Sequence, residues 1–279
     1  MSGRWSDVLD RIEVLQRESY DQGDDPWFRG HASSRWELKS TLHRFIESCW
    51  VAADGRLKLE VRREMLREEY KAIYHDFKAD AWALLEPHQR GEWSLIFAMQ
   101  HHALPTRLLD WTKSFACALF FAQRNRVREE DAAIFVMNPS ALNRTAAGVN
   151  GQISLDDELI VQGKIPTHLW HPKAVAPEED LPSIAVAPIL TNRRMVAQRA
   201  AFTVSGDSFE ALDRQYPGIV SKIVLPSDTY DDAERFLKLV GVGPFGYFPD
   251  LEGLAQRFAA RRDRLIREIT AEVSRGSAA

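Results

Sequence analysis

The chain has 279 residues, of which 45% are apolar and 27% are charged, and this composition is typical of a folded globular protein. Its 36 lysines and arginines are outnumbered by 40 aspartates and glutamates, so the formal net charge is -4. That balance excludes a basic field over the whole surface, of the kind that many nucleic-acid-binding proteins carry, and leaves local basic clusters open.

The sequence also favours a reducing compartment and no contact with a membrane. The longest unbroken apolar run, residues 115–122, is much shorter than the roughly 20 residues that span a bilayer. The first eleven residues carry charges where a signal peptide would have its apolar segment. Cys49 and Cys117 are too few for a disulfide framework or a cysteine metal site. We therefore expect a cytoplasmic protein.

Six segments have the apolar spacing or the end signals of helices. They are residues 4–20, 58–86, 93–101, 115–126, 231–240 and 251–273. Pro87 is expected to end the second helix, and Pro105 follows the end of the third. Ser114 is the expected N-cap of the fourth.

Six further segments are rich in β-branched and aromatic residues and are bounded by turn residues, which predicts strands. They are residues 27–30, 107–112, 132–137, 184–190, 201–205 and 219–225. The stretch between the third and fourth strands, residues 138–182, is predicted to be loop-like apart from a possible helix at residues 155–161. Because helices come first and strands later, without regular alternation, the pattern predicts a single α+β domain.

Residues 100–114 form the densest polar stretch, with paired histidines, basic residues and Asp110 at a predicted helix–loop–strand junction. Such groups either satisfy one another structurally or face a site, and an Arg107–Asp110 ion pair would be the structural alternative. Adjacent helical residues project about 100° apart, so His101 and His102 cannot readily chelate one ion. His168 and His171 have no cysteine partners, and we expect no metal site.

The sequence resembles the FRG domain family, named for its Phe-Arg-Gly motif. The motif is Phe28-Arg29-Gly30, and residues 100–122, QHHALPTRLLDWTKSFACALFFA, are similar to the family's core. Two further segments, residues 193–205 and 246–255, resemble the family more weakly. The resemblance divides the chain into three predicted parts. They are an N-terminal helical lead-in (1–25), an FRG-like domain (26–257) and a C-terminal helix and tail (258–279).

The layout of these motifs is similar to that of ADP-ribosyltransferases, which place three separated elements around a split sheet. Here the elements would be Arg29, Thr112-x-Ser114 and Gln198. The resemblance implies a split, mixed β-sheet, NAD as a substrate, and an Arg29 contact to an NAD phosphate. Thr112 and Ser114 would bond the nicotinamide ribose or hold Arg29 and Gln198 in place, and Gln198 would bond the ribose 2′-hydroxyl. The implied NAD-binding residues are Phe28, Arg29, Gly30, Arg107, Asp110 and Thr112.

One departure concerns Gln198, because the usual transferase element ends in Glu and an amide cannot act as a base. Acceptor activation would then fall to His101, His102 or Asp110. Arg193, Arg194 and Arg199 form a basic run beside Gln198, which is either a solvated charged face or a phosphate contact.

Two functional hypotheses follow from the resemblance. The first is an NAD-dependent ADP-ribosyltransferase, a toxin or phage-defence effector that modifies a protein or nucleic acid and has an antitoxin or regulator as a further partner. The alternative is a non-enzymatic module that senses a phosphate-bearing ligand or a partner protein. A metal-assisted hydrolase built on His101, His102 and Asp110 is a third interpretation, and it would require bound metal. Whichever interpretation holds, we predict that five apolar residues of this block belong to the core: Leu108, Leu109, Trp111, Phe120 and Phe121.

Overall fold

A computed structural model describes residues 3–52, 58–155, 170–174, 180–188, 190 and 192–276. Its strands are β1 (Trp27–His31), β2 (Leu108–Thr112), β3 (Ala132–Met137), β4 (Ile153–Ser154), β5 (Ile184–Ala187), β6 (Ala200–Val204) and β7 (Val220–Leu225). The helices of the first half are α1 (Gly3–Asp21), α2 (Thr41–Ala52), α3 (Leu59–Ala81), α4 (Glu92–His101), α5 (Phe115–Gln123) and α6 (Pro139–Ala147). Those of the second half are α7 (Arg193–Ala197), α8 (Leu212–Gln215), α9 (Tyr230–Leu239), α10 (Pro244–Tyr247) and α11 (Leu251–Gly276).

The seven strands form one sheet in the order β4-β5-β6-β2-β1-β3-β7. The β4–β5 pair is parallel and the other pairs are antiparallel, so the sheet is mixed and the fold is α+β, as predicted. Five residue pairs join β1 to β3, but a single pair, Phe28 with Thr112, joins β1 to β2. The sheet therefore opens between β1 and β2, and we call this gap the β1–β2 opening.

One face of the sheet carries two separate groups of helices. Phe28 lies opposite Thr112, and Asp110 lies opposite Phe202, so these side chains share that face. Phe202 packs in a core with α3 and α4, whereas Phe28 packs in a core with α1, α5 and α9. The other face is covered by a third core, which includes Trp111 and residues of α6 and α8. The helix groups thus leave space between them above the β1–β2 opening.

The close packing of β1 on α5 explains why the last residue of the Phe-Arg-Gly motif, Gly30, is a glycine. A Cβ atom at this position would lie 1.9 Å from the carbonyl oxygen of Ala118 and 2.6 Å from the backbone nitrogen of Ala122. Both atoms belong to α5, so only glycine lets the backbone of β1 approach this helix so closely. The contact fixes α5 against β1 beside the opening.

Most predicted elements are present, with shifted ends. The second predicted helix stops at Ala81 rather than near Pro87, and the fourth stops at Gln123 rather than at residue 126. Helices α2, α6, α7, α8 and α10 were not predicted. The possible helix at residues 155–161 lies, apart from Leu155, outside the described residues. Within the described part of the chain, no helix is long and apolar enough to cross a membrane.

Candidate functional site

A cavity of about 850 Å³ lies at the β1–β2 opening, and we call it the sheet cavity. Its walls come from β1, the following loop and α2, from α4, β2 and α5, and from α7 and β6. A volume of this size is within the range of small-molecule and cofactor sites. Of the residues proposed from sequence, it is lined by Phe28, Arg29, Gly30, His101, Asp110, Thr112 and Gln198.

Arg29 occupies the opening itself. Its Nη1 donates to the backbone oxygen of Asp110 at 2.5 Å, so the guanidinium takes the place of a missing β1–β2 backbone bond. Its Nε donates to Nε2 of His31 at 3.0 Å. Burial, the largest effect, lowers the pKa of Arg29. The Asp110 carboxylate, 3.6 Å from Nη1, acts in the opposite direction and raises the pKa of Arg29. Arginine stays charged at neutral pH, so the opening holds a fixed cation whose side chain is 20% exposed.

His31 keeps Arg29 in this position, and sequence reasoning missed it. Burial, followed by the charge of Arg29, lowers the pKa of His31 to about 3. The ring is therefore neutral at physiological pH, and its Nε2 can accept from Arg29. Nδ1 lies 3.4 Å from the backbone oxygen of Trp36. A histidine directly after the Phe-Arg-Gly motif was the available signal.

Asp110 is held by a relay of hydrogen bonds from its own sequence block. Gln100 Nε2 donates to Asp110 Oδ2 at 2.8 Å, and Thr106 Oγ1 donates to Gln100 Oε1 at 2.5 Å. The Asp110 side chain is 56% exposed and faces the cavity from β2. The polar residues of this block therefore orient a carboxylate beside Arg29.

Thr112 and Gln198 form the opposite wall. Thr112 Oγ1 donates to the backbone oxygen of Gln198 at 2.6 Å, which ties β2 to the end of α7. Gln198 Nε2 donates to the backbone oxygen of Tyr247 at 3.0 Å. Because that carbonyl can only accept, the amide orientation is determined, and Oε1 remains as the acceptor for a ligand. Ser114 does not line the cavity; its Oγ caps α5 by accepting from Cys117 N, as predicted.

Cations outnumber acids around the cavity. The lining includes Arg29, Arg35, Lys39, Arg44, Arg124 and Arg194 against Glu37, Glu47 and Asp110. Lys39 is bonded to both glutamates at 2.6 Å, and the lining as a whole has more cations than acids. The cavity is therefore positive on a chain whose net charge is -4, and it suits an anionic ligand.

Aromatic side chains complete the lining. Trp36 is 56% exposed, an unusual exposure for a tryptophan, and it lies edge-on to His31. Phe97 and Phe121 contribute from α4 and α5. Phe97 is buried, whereas the exposed ring of Trp36 and the half-buried ring of Phe121 provide flat surfaces on which a base can stack. Trp111 also borders the cavity, but it is 3% exposed and belongs to the core, as predicted. Phe120 and Phe121, predicted to be core, are half-buried.

The two adjacent histidines, His101 and His102, lie in different surroundings. His101 lines the cavity, and its pKa is lowered by burial, then by Arg194 and His102. His102, the C-cap of α4, is exposed and does not line it. The structure thus brings one histidine of the pair to the cavity with Arg29 and Gln198.

Arg107, proposed to bind NAD, requires a correction. It is 3% exposed and lies outside the cavity lining. Its Nη2 donates to Asp207 Oδ1 at 2.9 Å, and its Nη1 donates to the backbone oxygens of Ser205 and Gly206. Arg67 bonds the other oxygen of Asp207 at 2.7 Å. The alternative ion pair with Asp110 is also absent among the described residues, since the buried Asp207 attracts Arg107 instead.

No group of three metal-ligating side chains occurs among the described residues. His171 packs edge-on between Tyr74 and Trp93, with ring centroids 5.0 and 5.8 Å away. His168, the other histidine of that region, lies outside the described residues.

The fold and cavity define an α+β protein with a positively charged cavity at an opened sheet. Residues 24–131 match the family model of the FRG domain, the family that the sequence resembles. The match contains Arg29 and Asp110 and ends just before β3, whereas the sheet continues through β7. No curated protein and no solved structure matches the chain.

Proposed function

We propose that the protein is an NAD-dependent ADP-ribosyltransferase whose substrate binds in the sheet cavity. The observation that carries the proposal is the meeting of Arg29, Thr112 and Gln198, from three distant segments, at one opened seam of the sheet. This is the arrangement that the resemblance to transferases implies.

The lining suits the chemistry of NAD. The dinucleotide carries a negatively charged diphosphate and two ring systems, and the cavity offers an excess of cations with aromatic rings between them. Thr112 fixes the backbone of Gln198, and Tyr247 fixes its amide, so Oε1 of Gln198 can accept from a ribose hydroxyl. That bond would strengthen as positive charge develops at C1′.

In the proposed step, an acceptor atom bonds to C1′ of the nicotinamide ribose while the C1′–nitrogen bond breaks. The electron pair of that bond leaves with nicotinamide, which departs neutral, and the acceptor proton passes to a base. Gln198 cannot take this proton. Asp110 and His101 are the proton acceptors from the original set that line the cavity.

Nicotinamide release and NAD binding test the proposal. Purified protein is incubated with NAD and fractionated cell lysate, alongside Arg29→Lys and Gln198→Ala. In Arg29→Lys the lysine keeps the charge but cannot bond both Asp110 and His31. We therefore expect the rate of nicotinamide release to fall about 100-fold or more. Arg11→Ala, on the exposed side of α1, is the matched control and should behave like the parent. A parent that neither binds NAD nor releases nicotinamide with any fraction contradicts the proposal.

The acceptor class follows from the same variants in cells. We propose a macromolecular acceptor and a toxin or defence role, with growth arrest that disappears in Arg29→Lys. Mass spectrometry of proteins and nucleic acids then locates the ADP-ribose. Unmodified macromolecules in arrested cells would contradict this part of the proposal.

A non-enzymatic binding module is the second candidate, and Gln198 favours it, because the position lacks the carboxylate that transferases use. Such a module retains the cavity and its cations but not turnover. NAD binding that depends on Arg29, with no nicotinamide release under any condition, would select this candidate.

A further inference from the structure

We propose that Arg124 and Arg194, stacked on Phe248, form the subsite for the diphosphate of a nucleotide in the sheet cavity. This inference rests on the proposed function, which it deepens by assigning the phosphates to a pair of residues other than Arg29.

The two guanidiniums are held by one aromatic ring. Cζ of Arg124 and Cζ of Arg194 each lie 4.4 Å from the ring centroid of Phe248. The two cations are therefore no farther apart than twice that distance, which one phosphate or diphosphate can bridge. Phe248 is 3% exposed and packs against Phe120 and Phe121, so the ring is fixed before any ligand arrives.

Neither cation has a direct ion-pair partner within the described part of the chain. No carboxylate there lies within 4.0 Å of Arg124 or Arg194, and neither guanidinium donates a hydrogen bond. Burial, the largest effect, lowers the pKa of Arg194, and the charge of Arg124 lowers it further, whereas Asp110, Asp250 and Glu252 raise it. Two neighbouring like charges in a half-buried wall repel each other, and a bound anion would remove that repulsion.

Arg29 has less capacity for the same task. Its Nε and Nη1 are already engaged by His31 and by the backbone of Asp110. Stacking on a ring face leaves the in-plane N–H groups of a guanidinium free, and those groups match phosphate oxygens in pairs. Both Arg124 and Arg194 line the cavity.

The subsite also gives a physical role to residues 246–255, the C-terminal segment that resembles the family. Tyr247 holds the Gln198 amide through its backbone oxygen, and the next residue, Phe248, holds the two arginines. Adjacent residues at the end of α10, its last residue Tyr247 and its C-cap Phe248, thus organise the ribose wall and the phosphate wall of one cavity.

Calorimetric titration tests the assignment with three probes: ADP-ribose, inorganic pyrophosphate and adenosine. We expect Arg124→Ala and Arg194→Ala each to weaken ADP-ribose and pyrophosphate about tenfold or more, as the loss of a charged hydrogen-bond donor does, and to leave adenosine unchanged. Phe248→Leu keeps an apolar side chain without a stacking face, so it should weaken the same two probes. Arg193→Ala, exposed on α7 and outside the lining, is the control.

The outcomes separate this inference from the proposed function. Unchanged ADP-ribose affinity in the arginine variants overturns the subsite even if nicotinamide release continues. Equal losses for adenosine and ADP-ribose overturn it as well, because they indicate a damaged cavity rather than a lost phosphate contact. A parent that binds none of the probes also overturns it. Arginine-dependent binding of ADP-ribose with no nicotinamide release supports the subsite and contradicts the transferase.

Discussion

At the scale of single residues, neighbouring polar side chains in one block have different tasks. Arg107 is buried and bonded to Asp207, whereas Asp110, three residues later, is exposed to the cavity. Alternation along β2 places Asp110 on the face that carries the cavity, and Trp111 on the other face. Trp111 Nε1 donates to Thr203 Oγ1 at 3.1 Å, so this ring is part of the structural core.

Trp111→Ala tests that assignment. The change removes a nearly fully buried ring and leaves a cavity, so we expect the free energy of unfolding to fall by about 3–5 kcal/mol in urea denaturation. His101→Ala, at an exposed position, should stay within about 0.5 kcal/mol of the parent. A Trp111→Ala protein as stable as the parent would mean that the ring serves the cavity and not the core.

At the scale of elements, the packing of β1 on α5 determines where the opening lies. Gly30 allows this contact, and the Phe28 ring meets Phe115 of α5 edge-on at 6.1 Å. With β1 held against α5 and β3, its separation from β2 leaves the gap that Arg29 fills. The three residues of the motif therefore have different tasks: Phe28 packs in the core, Arg29 fills the opening, and Gly30 allows the close approach of β1 to α5.

Gly30→Ala is expected to disturb this arrangement. The new methyl group would meet backbone atoms of Ala118 and Ala122, which cannot rotate away, so we expect a loss of about 1–3 kcal/mol or more in the free energy of unfolding. Chemical denaturation measures it. Gly246→Ala, where no atom beyond the chain neighbours and the helix's own backbone lies within 4 Å of the added Cβ, should be close to neutral. Equal stability of the two variants would show that β1 and α5 are not packed this closely.

The sequence predicts the elements with strong local patterns but not those that depend on distant partners. The strand at residues 132–137 is found at its predicted bounds, because a continuous apolar run between turn residues is a local signal. Helix α6 was missed, although Asn138 caps it and Gly148 ends it, since the surrounding composition resembles a loop. The partnership of Arg107 with Asp207, 100 positions away, has no sequence signal at all.

The sequence also predicts only part of the cavity lining. Arg29, Thr112 and Gln198 could be selected because they lie in recognisable motifs, and all three line it. Arg44 and Arg124 could not, because each is one of many arginines in the chain and only the fold brings it to the cavity. Phe248 could not be selected either, because only the fold brings Arg124 and Arg194, two cations of the cavity lining, onto its ring.

At the scale of the whole molecule, buried neutral histidines make the stability of the fold depend on pH. Burial lowers the pKa of His31 and His43 to about 3 and that of His171 to about 4. In the unfolded chain a histidine titrates near pH 6.5. Below that pH the unfolded state binds protons that the folded state does not, so the free energy of unfolding decreases as the pH falls. The full stabilisation is present above about pH 6.5.

His171→Phe isolates one of these contributions. Phenylalanine keeps the edge-on packing with Tyr74 and Trp93 but cannot be protonated. Between pH 6.5 and 4.5 the parent should lose about 2 kcal/mol more than this variant, which urea denaturation at each pH measures. His102→Gln, at an exposed position, should follow the parent over the same range. If parent and His171→Phe lost stability in parallel, the His171 ring would have to be as accessible to protons in the folded protein as in the unfolded chain.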